Sequence, residues 1–481
     1  MIHDINHSGD PEAYYRRMQL PAGDLHIYAN RELFEAMETQ VFTMANNNLQ
    51  MPDRHYLSYT PDVHVGVGTC IGTTAVWRAD SAYVSPSIVG SDIGCGMRVH
   101  VTNLQREDLQ EVKLRRRLVR AVEKLLPSDS QARGHFSDFR LEEVVRKGLH
   151  GLPKKYVPDA YTPKKATSLT HVENSRFRFD EAYLDRMPAA AWHRGHRQLG
   201  TLGSGNHFAE IQALEIPEEG RAVAEQWGLK DGQIIVMIHS GSRAWGGAVS
   251  ELAGKEVAAW MRRSGMGTAD PKLAFAPLGS AAGQLYLHLM YSALNYAVAN
   301  RHLIAYAVRE AAKEVLGSGF EMRTLYDLMH NYAWEEEHEG QAYFVHRKGA
   351  TRALPPGHPD NPEPYRHTGH PALIPGSMGT ASYLMAGQPQ GRANYHSICH
   401  GAGRIRSRSA TKRLVGVKEF EASLRVGTPD EVVVNQRSLE SIVDESPQAY
   451  KDVDAVIDSV VGAGLASVVA KCQPLAVIKG V

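Results

Sequence analysis

The stretch Ile88-Val-Gly-Ser-Asp-Ile-Gly-Cys-Gly-Met-Arg98 constrains this chain more than any other. Gly90, Gly94 and Gly96 surround Asp92 and Cys95, which stand three positions apart. Glycine lets the backbone bend sharply, so a carboxylate and a thiol at that spacing can point to one side. Both are anionic metal ligands when ionised, one hard and one soft. The same letters also suit a tight turn after a strand, with Cys95 a small buried hydrophobe. Which reading holds depends on whether the rest of the chain supplies partners.

Size permits an elaborate site. The 481 residues are 43% hydrophobic, enough for a large core in one domain or two. Lys+Arg and Asp+Glu both number 53, so a polyanion has to meet a local basic patch rather than a global field. The 23 histidines are many, and histidine is the commonest metal ligand and neutral-pH acid or base. The cysteines Cys70, Cys95, Cys399 and Cys472 are too few for a disulfide scaffold and form no CxxC pair. Met1-Ile-His-Asp-Ile-Asn lacks the basic and apolar regions of a signal peptide. The most apolar long segment, about 282–308, is interrupted by His288, Asn295, Asn300, Arg301 and His302, so no transmembrane span is expected. The expectation is a soluble, reduced, cytoplasmic protein without a membrane partner.

Hydrophobic periodicity predicts mixed α/β structure. A helix is expected over Arg31–Asn46, from Leu33, Met37, Val41 and Met44. Pro61-Asp-Val-His-Val-Gly-Val-Gly68 is strand-like and glycine-punctuated, and strands are expected on either side of the opening motif within 80–104. Leu109, Val112, Val119, Val122 and Leu126 predict a helix from Glu107 to Leu126, stopped by Pro127. Gln233–Ile238 is continuously apolar and reads as a buried strand delivering His239-Ser-Gly-Ser-Arg243 at its end. Helices follow near Trp245–Arg263 and over Ser280–Leu316, the latter with a break expected near Asn300. Residues 353–374 read as a loop, and the tail as helical segments ending in Ile478-Lys479-Gly480-Val481. The lysine pairs Lys154-Lys155 and Lys164-Lys165 suit either a solvated surface or phosphate contact. No repeat or clear linker appears, which favours one large domain with inserted elements.

Several stretches set a histidine or arginine among Gly, Ser and Asn, outside helical periodicity. They are Leu202-Gly-Ser-Gly-Asn206-His207-Phe-Ala-Glu210, His239-Ser-Gly-Ser-Arg243, His330-Asn331 and His400-Gly-Ala-Gly-Arg404. Glycines after a histidine leave room for a phosphorylated group near the backbone. His346-Arg347-Lys348-Gly-Ala-Thr-Arg352 concentrates cationic donors, and Pro375–Ser382 offers amides and hydroxyls, so both are candidate phosphate cradles. GxxxxGK[ST], GxGxxG opening a βαβ unit, HExxH, GxSxG and the zinc-deaminase signature are all absent. Asp92, Cys95, His207, His239 and His330 make a plausible mixed O, S and N ligand set, suited to Zn, Mn, Fe or Co rather than Mg or Ca. A bridging thiolate would let that set hold two metals, about 3.5–4 Å apart in phosphoryl-transfer sites.

In order, these motifs (DIGCG, LGSGNHF-x-E, HSGSR, HN, HRKGATRA, PGSMGTAS, HGAGR and Val-Ile-Lys-Gly) resemble the RtcB family of RNA-splicing ligases from about Pro61 to the C-terminus. The resemblance implies an α/β (α+β) single large domain with mixed sheets and a central metal/GTP cleft. It spans 1–481, with residues 1–50 and an insert at about 105–200 matching poorly. It implies joining of RNA 2′,3′-cyclic phosphate or 3′-phosphate ends to 5′-hydroxyl ends, with GTP and two Mn²⁺, in tRNA splicing or RNA repair. RNA with such ends is then the substrate, and an archease-type activator a possible partner. By motif, Asp92, Cys95 and His207 hold one manganese, and Cys95, His239 and His330 the other. His400 is the nucleophile that takes GMP. Asn206, Glu210, His330, Asn331, Pro375, Gly376, Ser377, Met378, Ser382, Gly401, Ala402, Gly403, Tyr450 and Lys479 match guanylate-binding positions, and Arg243 and Arg404 match arginines that hold RNA phosphate. Ala244-Trp245-Gly246 and Ile405-Arg406-Ser407-Arg408 depart from the family pattern and touch neither metal nor guanylate positions. The rival readings are a dinuclear metal-dependent phosphodiesterase or phosphatase that never guanylylates, and a catalytically idle RNA-binding relative.

Overall fold

The computed structural model describes residues 13–126, 134–157, 179–424, 431–435 and 439–480. Two sheets carry the site. One runs, in spatial order, Tyr15–Leu20, Gly23–Tyr28, Arg54–His64, Ile71–Arg78, Gln341–Lys348, Asn331–His338. The other runs Met322–Met329, Gly96–Gln105, Gln233–Ser240, Phe208–Glu215, Ala466–Lys479, Ser382–Gly387, Pro371–Ile374. Its neighbours along that path are antiparallel. Val433–Val434 pairs in parallel beside Ala466–Lys479. His330 is the single residue between the last strand of one sheet and the first of the other.

The continuous apolar run at Gln233–Ser240 follows from covering both faces of this sheet. Ile234, Val236 and Ile238 face one hydrophobic cluster, while Ile235 and Met237 face a second. The first cluster includes the helix Ala281–Leu316, 36 residues long and buried around nearly its whole circumference.

That helix is unbroken at Asn300, contrary to expectation. Its polar residues are anchors rather than breakers. The Asn300 amide accepts from the backbone N–H groups of Gly200 and Thr201, at 2.7 and 3.2 Å. It donates to the carbonyls of Thr201 and Gly241, both at 3.1 Å, and to the Ser240 hydroxyl at 3.0 Å. Arg301 pairs with Asp327 at 2.7 and 2.9 Å and donates to the carbonyls of Gly94 and Ser240. The helix therefore holds the turns that carry Cys95 and follow His239. Asp327 also faces Arg98 at 3.3 Å, and all three side chains are buried. Asp327→Asn leaves two buried guanidinium groups without their counter-charge. It should cost about 3–5 kcal/mol, read as a lower urea midpoint; an unchanged midpoint refutes the clamp.

Other expectations need correction. The helix expected over Arg31–Asn46 is two, Arg31–Glu35 and Thr39–Leu49, because Ala36 closes a turn onto Glu32 and Phe34 and Glu38 is extended. The Glu107–Leu126 helix is a short 3-10 turn at Arg106–Leu109 followed by Val112–Leu125. Pro371–Ile374, inside the expected loop, is a strand at the end of its sheet, where a leading proline forfeits no needed donor. The tail is not only helical: Ala466–Lys479 is a strand inside the larger sheet. Pro474 argues against a central strand, but a register shift between Pro474 and Ala476 absorbs it. Lys155 pairs with Asp138 on the surface, whereas Lys164-Lys165 and Pro127 lie outside the described residues. Among the described residues no helix is long and apolar enough to cross a membrane.

Candidate metal centre and nucleotide cavity

Strand register assembles the site. Gly96 lies opposite both Met329 and Ser240, His239 opposite both Met97 and Phe208, and Lys479 opposite Phe208. In an antiparallel sheet, strands start and finish alternately at one edge. That edge gathers Cys95, His207, His239, His330 and Lys479, each at a strand end or within one residue of it. Asp92 joins them from the glycine-rich turn, where Cys95 N–H donates to its carbonyl at 3.1 Å. Gly241 must lack a side chain, because a Cβ there would lie 2.2 Å from Asp92 Oδ1.

The donor atoms fall into two groups that share Cys95: Asp92, Cys95 and His207, and Cys95, His239 and His330. Cys95 Sγ lies 3.4 Å from His207 Nε2 and 3.2 Å from His239 Nε2. His207 Nε2 is 2.8 Å from Asp92 Oδ2. His207 and His239 direct Nδ1 at the carbonyls of Leu202 and Asn206, at 3.0 and 3.2 Å. Carbonyls only accept, so those contacts place the proton on Nδ1 and turn the Nε2 lone pairs inward, as metal ligands require.

A cation fits this set. His239 Nε2 and His330 Nε2 face each other at 3.3 Å, and burial, followed by neighbouring imidazoles, keeps both rings well below the usual histidine range. The two nitrogens share a hydrogen bond only while one Nε2 keeps its proton; in a metal site both would present lone pairs, and a cation would take the place of that proton. Burial, then the Asp92 charge, pushes the Cys95 thiol far up. A bound metal reverses that and makes it a thiolate ligand. Burial also acts to raise Asp92, but with no metal bound a proton on His207 Nε2, 2.8 Å away, prevails and holds it at about 2; a cation would take the place of that proton. Sulfur, nitrogen and oxygen in one buried set suit a transition metal.

His400 approaches the centre from another element, just beyond the short strand Ser397–Cys399. Its ring centre is 5.0 Å from that of His330. Nδ1 lies 2.5 Å from Asp62 Oδ2, which also accepts the His400 backbone N–H at 3.0 Å. Thr60 donates to the other carboxylate oxygen at 2.6 Å. Burial alone would raise Asp62, but His400 and these hydrogen bonds keep it below the usual carboxylate range. An anionic Asp62 fixes the proton of His400 on Nδ1 and leaves Nε2 as a nucleophile. Gly403, at φ +75°, passes so close that a Cβ would sit 2.2 Å from the Asp62 carbonyl.

A cavity of about 170 Å³ opens beside His400. Of the expected guanylate positions, Asn206, Glu210, Pro375–Met378, Gly401–Gly403, Tyr450 and Lys479 line it. Burial lifts Glu210 to about 8 against the pull of Lys479, and its Oε1 has no hydrogen-bond partner. Such a carboxylate suits a ligand that brings N–H donors. Asn331 and Ser382 brace the wall instead of lining it. Asn331 donates to the Asp92 carbonyl at 3.0 Å and accepts from Gly349 N–H at 2.8 Å. Ser382 accepts from Gly376 N–H at 3.2 Å and from Gln212 at 2.9 Å.

Arg404 lines the cavity, but its guanidinium is bonded to Glu445, the Tyr450 hydroxyl and the Asp444 carbonyl at 3.2, 3.2 and 2.7 Å. Arg243, its backbone at φ +53°, is held by Thr201 at 3.1 Å. The cationic run His346–Arg352 is not a phosphate cradle. Arg347 is buried on Glu336 and Ser397, Lys348 donates to the carbonyls of Val67, Thr69 and Ser87, and Arg352 pairs with Asp360. Burial holds His346 at about 3. In the sequence these charges look ligand-seeking, because the buried acceptors they meet come from distant segments.

Asp62 and Glu445 escaped the sequence reading. An Asp inside strand-like letters was the available signal for Asp62, since buried carboxylates are rare without a partner. Trp245, one of the departures, is buried against Trp192 with 4.6 Å between ring centres and donates to Ser292 at 3.0 Å. It packs one helix onto another and leaves the metal centre untouched.

A family profile described as "tRNA-splicing ligase RtcB" matches residues 44–480. The chain belongs to the RtcB family. The RtcB profile begins upstream of Pro61 and its matched span takes in 105–200. A "tRNA-splicing ligase RtcB" of Thermococcus kodakarensis is 38% identical over 480 residues, covering 97% of this chain and 96% of that protein. One of Archaeoglobus fulgidus is 37% identical over 482 residues, covering 98% and 96%. An "RNA-splicing ligase RtcB homolog 1" of Entamoeba dispar is 34% identical, covering 95% and 87%. The mixed α/β architecture is the one expected for an RtcB chain.

Proposed function

We propose that this protein is a GTP-dependent RNA ligase, acting on 2′,3′-cyclic phosphate or 3′-phosphate ends and 5′-hydroxyl ends, in tRNA splicing or RNA repair. It acts as one ligase domain over 1–481. The observation that carries the reading is His400. A histidine clamped through Nδ1 by a buried Asp62, with Nε2 free for a cavity that adjoins a transition-metal donor set, is built to accept a phosphoryl group. A hydrolase working through two metals has no use for such an acceptor.

Asp92, Cys95 and His207 would hold one Mn²⁺, and Cys95, His239 and His330 a second. When bound, the cations neutralise charge developing on phosphoryl oxygens. The chain's own residues do the rest. Glu210 and Lys479 hold the guanine edge, Tyr450 packs on its face, and the amides of Pro375–Met378 and Gly401–Gly403 surround the remainder. His400 Nε2 attacks the α-phosphorus of GTP and pyrophosphate leaves. Water attacks the cyclic phosphate, the bond to the 2′-oxygen breaks to leave a 2′-hydroxyl, and the resulting 3′-phosphate displaces His400 to give an RNA-ppG end. The 5′-hydroxyl then displaces GMP. Arg243 faces the RNA phosphate, and Arg404 serves first to hold Tyr450 and Glu445 in place. An archease-type activator would act on turnover, leaving these contacts unchanged.

The test is to offer RNA with 2′,3′-cyclic phosphate and 5′-hydroxyl ends, with and without GTP and Mn²⁺. Joined product is expected only with both. Opening of the cyclic phosphate without joining, under all conditions, establishes the phosphodiesterase instead. Asp62→Asn should slow labelling of the protein by α-labelled GTP by about 10³–10⁴-fold through loss of the Nδ1 tautomer, with unchanged metal content. A rate within about threefold of the wild type, far short of that loss, excludes Asp62 from orienting the nucleophile.

A further inference from the structure

His64 stands in the same cavity wall as His400, and the reaction above gives it no task. It ends the strand Arg54–His64. Its Nδ1 lies 2.9 Å from the main-chain oxygen of Asp62, an acceptor only, so Nδ1 carries a proton. That leaves Nε2 as the lone-pair nitrogen, and among the described residues no protein group bonds to it. The ring runs nearly parallel to that of His400, at 21°, with 6.4 Å between centres. Asp62 sets both rings: its carboxylate meets Nδ1 of His400 and its carbonyl meets Nδ1 of His64. Both rings line one cavity, so a phosphoryl group carried on Nε2 of His400 would stand in the space that His64 also borders.

We propose that His64 is a catalytic residue of guanylyl transfer: its Nε2, protonated once the nucleotide is bound, donates a hydrogen bond to a non-bridging oxygen of the phosphoryl group passing to His400. This rests on the reading of His400 as the guanylate acceptor. In the step, the bond from the α-phosphorus to Nε2 of His400 forms. The bond to the bridging oxygen breaks, and its electron pair leaves on pyrophosphate. The proton on His64 comes from solvent when the nucleotide binds and stays on His64.

The cationic form follows from the two contacts. With its proton on Nδ1 alone, His64 would turn a lone pair toward the phosphoryl oxygen. With it on Nε2 alone, the lone pair would meet the Asp62 carbonyl. Only the imidazolium satisfies both. The charged or titratable groups that act on His64 are His400, Asp62 and Lys451. Lys451 spends its donors on the carbonyls of Pro61 and Val63, at 2.9 and 2.7 Å, and so braces the turn. Burial first, with His400 and Lys451 adding to it, keeps His64 at about 4 without nucleotide. The polyphosphate is the opposite charge that reverses this.

The experiment is single-turnover labelling by α-labelled GTP, followed across the neutral and alkaline range for the wild type, His64→Asn and His64→Gln. The asparagine amide occupies the Nδ1 position and keeps the Asp62 contact, while the glutamine amide occupies the Nε2 position as an uncharged donor. His64→Asn should fold with a wild-type melting temperature, keep its metal and label about 10²-fold more slowly. His64→Gln should recover part of that rate and lose the alkaline fall that the wild type shows. A labelled wild type beside an equally fast His64→Asn, or a His64→Gln that keeps the alkaline fall, overturns the proposal alone. A wild type that takes no label overturns the guanylate reading and this proposal with it. If both variants unfold, calorimetry of a non-hydrolysable GTP analogue in buffers of different ionisation enthalpy decides, and absence of proton uptake by the wild type overturns the proposal.

Discussion

His400→Ala protein is expected to take up no acid-labile label from α-labelled GTP in the presence of Mn²⁺, under conditions where the wild type should be labelled. The effect should be complete, because the substitution removes the only atom that forms the bond, Nε2, and no neighbour replaces it. Of the rings nearest His400, His64 is proposed as a hydrogen-bond donor to the phosphoryl group and not as its acceptor, and His330 belongs to the metal-donor set. His64 binds the Asp62 carbonyl through Nδ1, and His330 is committed through Nε2 to the cluster with Cys95 and His239. Stability should change little. His400 lies at a cavity wall, and the Asp62 carboxylate it leaves still accepts from Thr60. Metal content should be unaffected, since His400 belongs to neither donor group. Label that persists in the variant refutes the assignment of the nucleophile. A wild type that opens cyclic phosphate ends without ever taking label points to the hydrolase.

Cys95→Ala should empty both metal positions at once. Cys95 is the one residue common to the two donor groups, and its sulfur stands between His207 and His239. Without it, each group is left with only two protein donors. Loss of an indirect supporting contact alone weakens a metal site by about 10–100-fold, so loss of a shared ligand should exceed that. Metal analysis after dialysis should find two equivalents in the wild type and none tightly held in the variant, and labelling should fall below detection. A thermal readout separates this from misfolding. A metal that binds only the folded state adds about 2.7 kcal/mol at a hundred times its dissociation constant. A chelator should therefore lower the melting temperature of the wild type and leave Cys95→Ala where it was. A variant that retains two equivalents refutes the shared ligand.

Legibility in the sequence followed the range of the interaction involved. The candidate metal donors stand out in the sequence because each sits among glycines or near the end of a strand, a local departure from periodicity that no packing requirement explains. Gln233–Ser240 was readable because an apolar run that faces two cores has no polar alternation. The 353–374 and C-terminal segments were harder. Pro371 and Pro474 are local signals against strands; the first is overridden by pairing with Ala386 in the next strand, the second by pairing with Gln212, far away in sequence. The long helix was misjudged at Asn300 for the same reason: its polar residues bond to Gly200, Thr201 and Ser240, about 60–100 positions away. The cationic run His346–Arg352 failed most clearly, because a charge in a sequence looks identical whether it awaits a phosphate or neutralises Glu336.

The sequence by itself determined the chemical inventory: a thiol, a carboxylate and histidines that make a candidate metal set, a histidine followed by glycines that is the proposed nucleophile, and the ordered motifs that mark the RtcB family. Only the tertiary structure decided how the inventory is wired. Antiparallel register brings ligands from distant segments to one sheet edge, and Cys95 falls where both donor groups reach it. Asp62, unremarked in its strand, orients His400 and His64 together. Arg404, expected at RNA, turns inward onto Tyr450 and Glu445. Ligand chemistry is a property of residue type and local spacing, so a sequence displays it. Which nitrogen holds the proton, and which charge is already paired, depends on groups that only folding brings within hydrogen-bond distance.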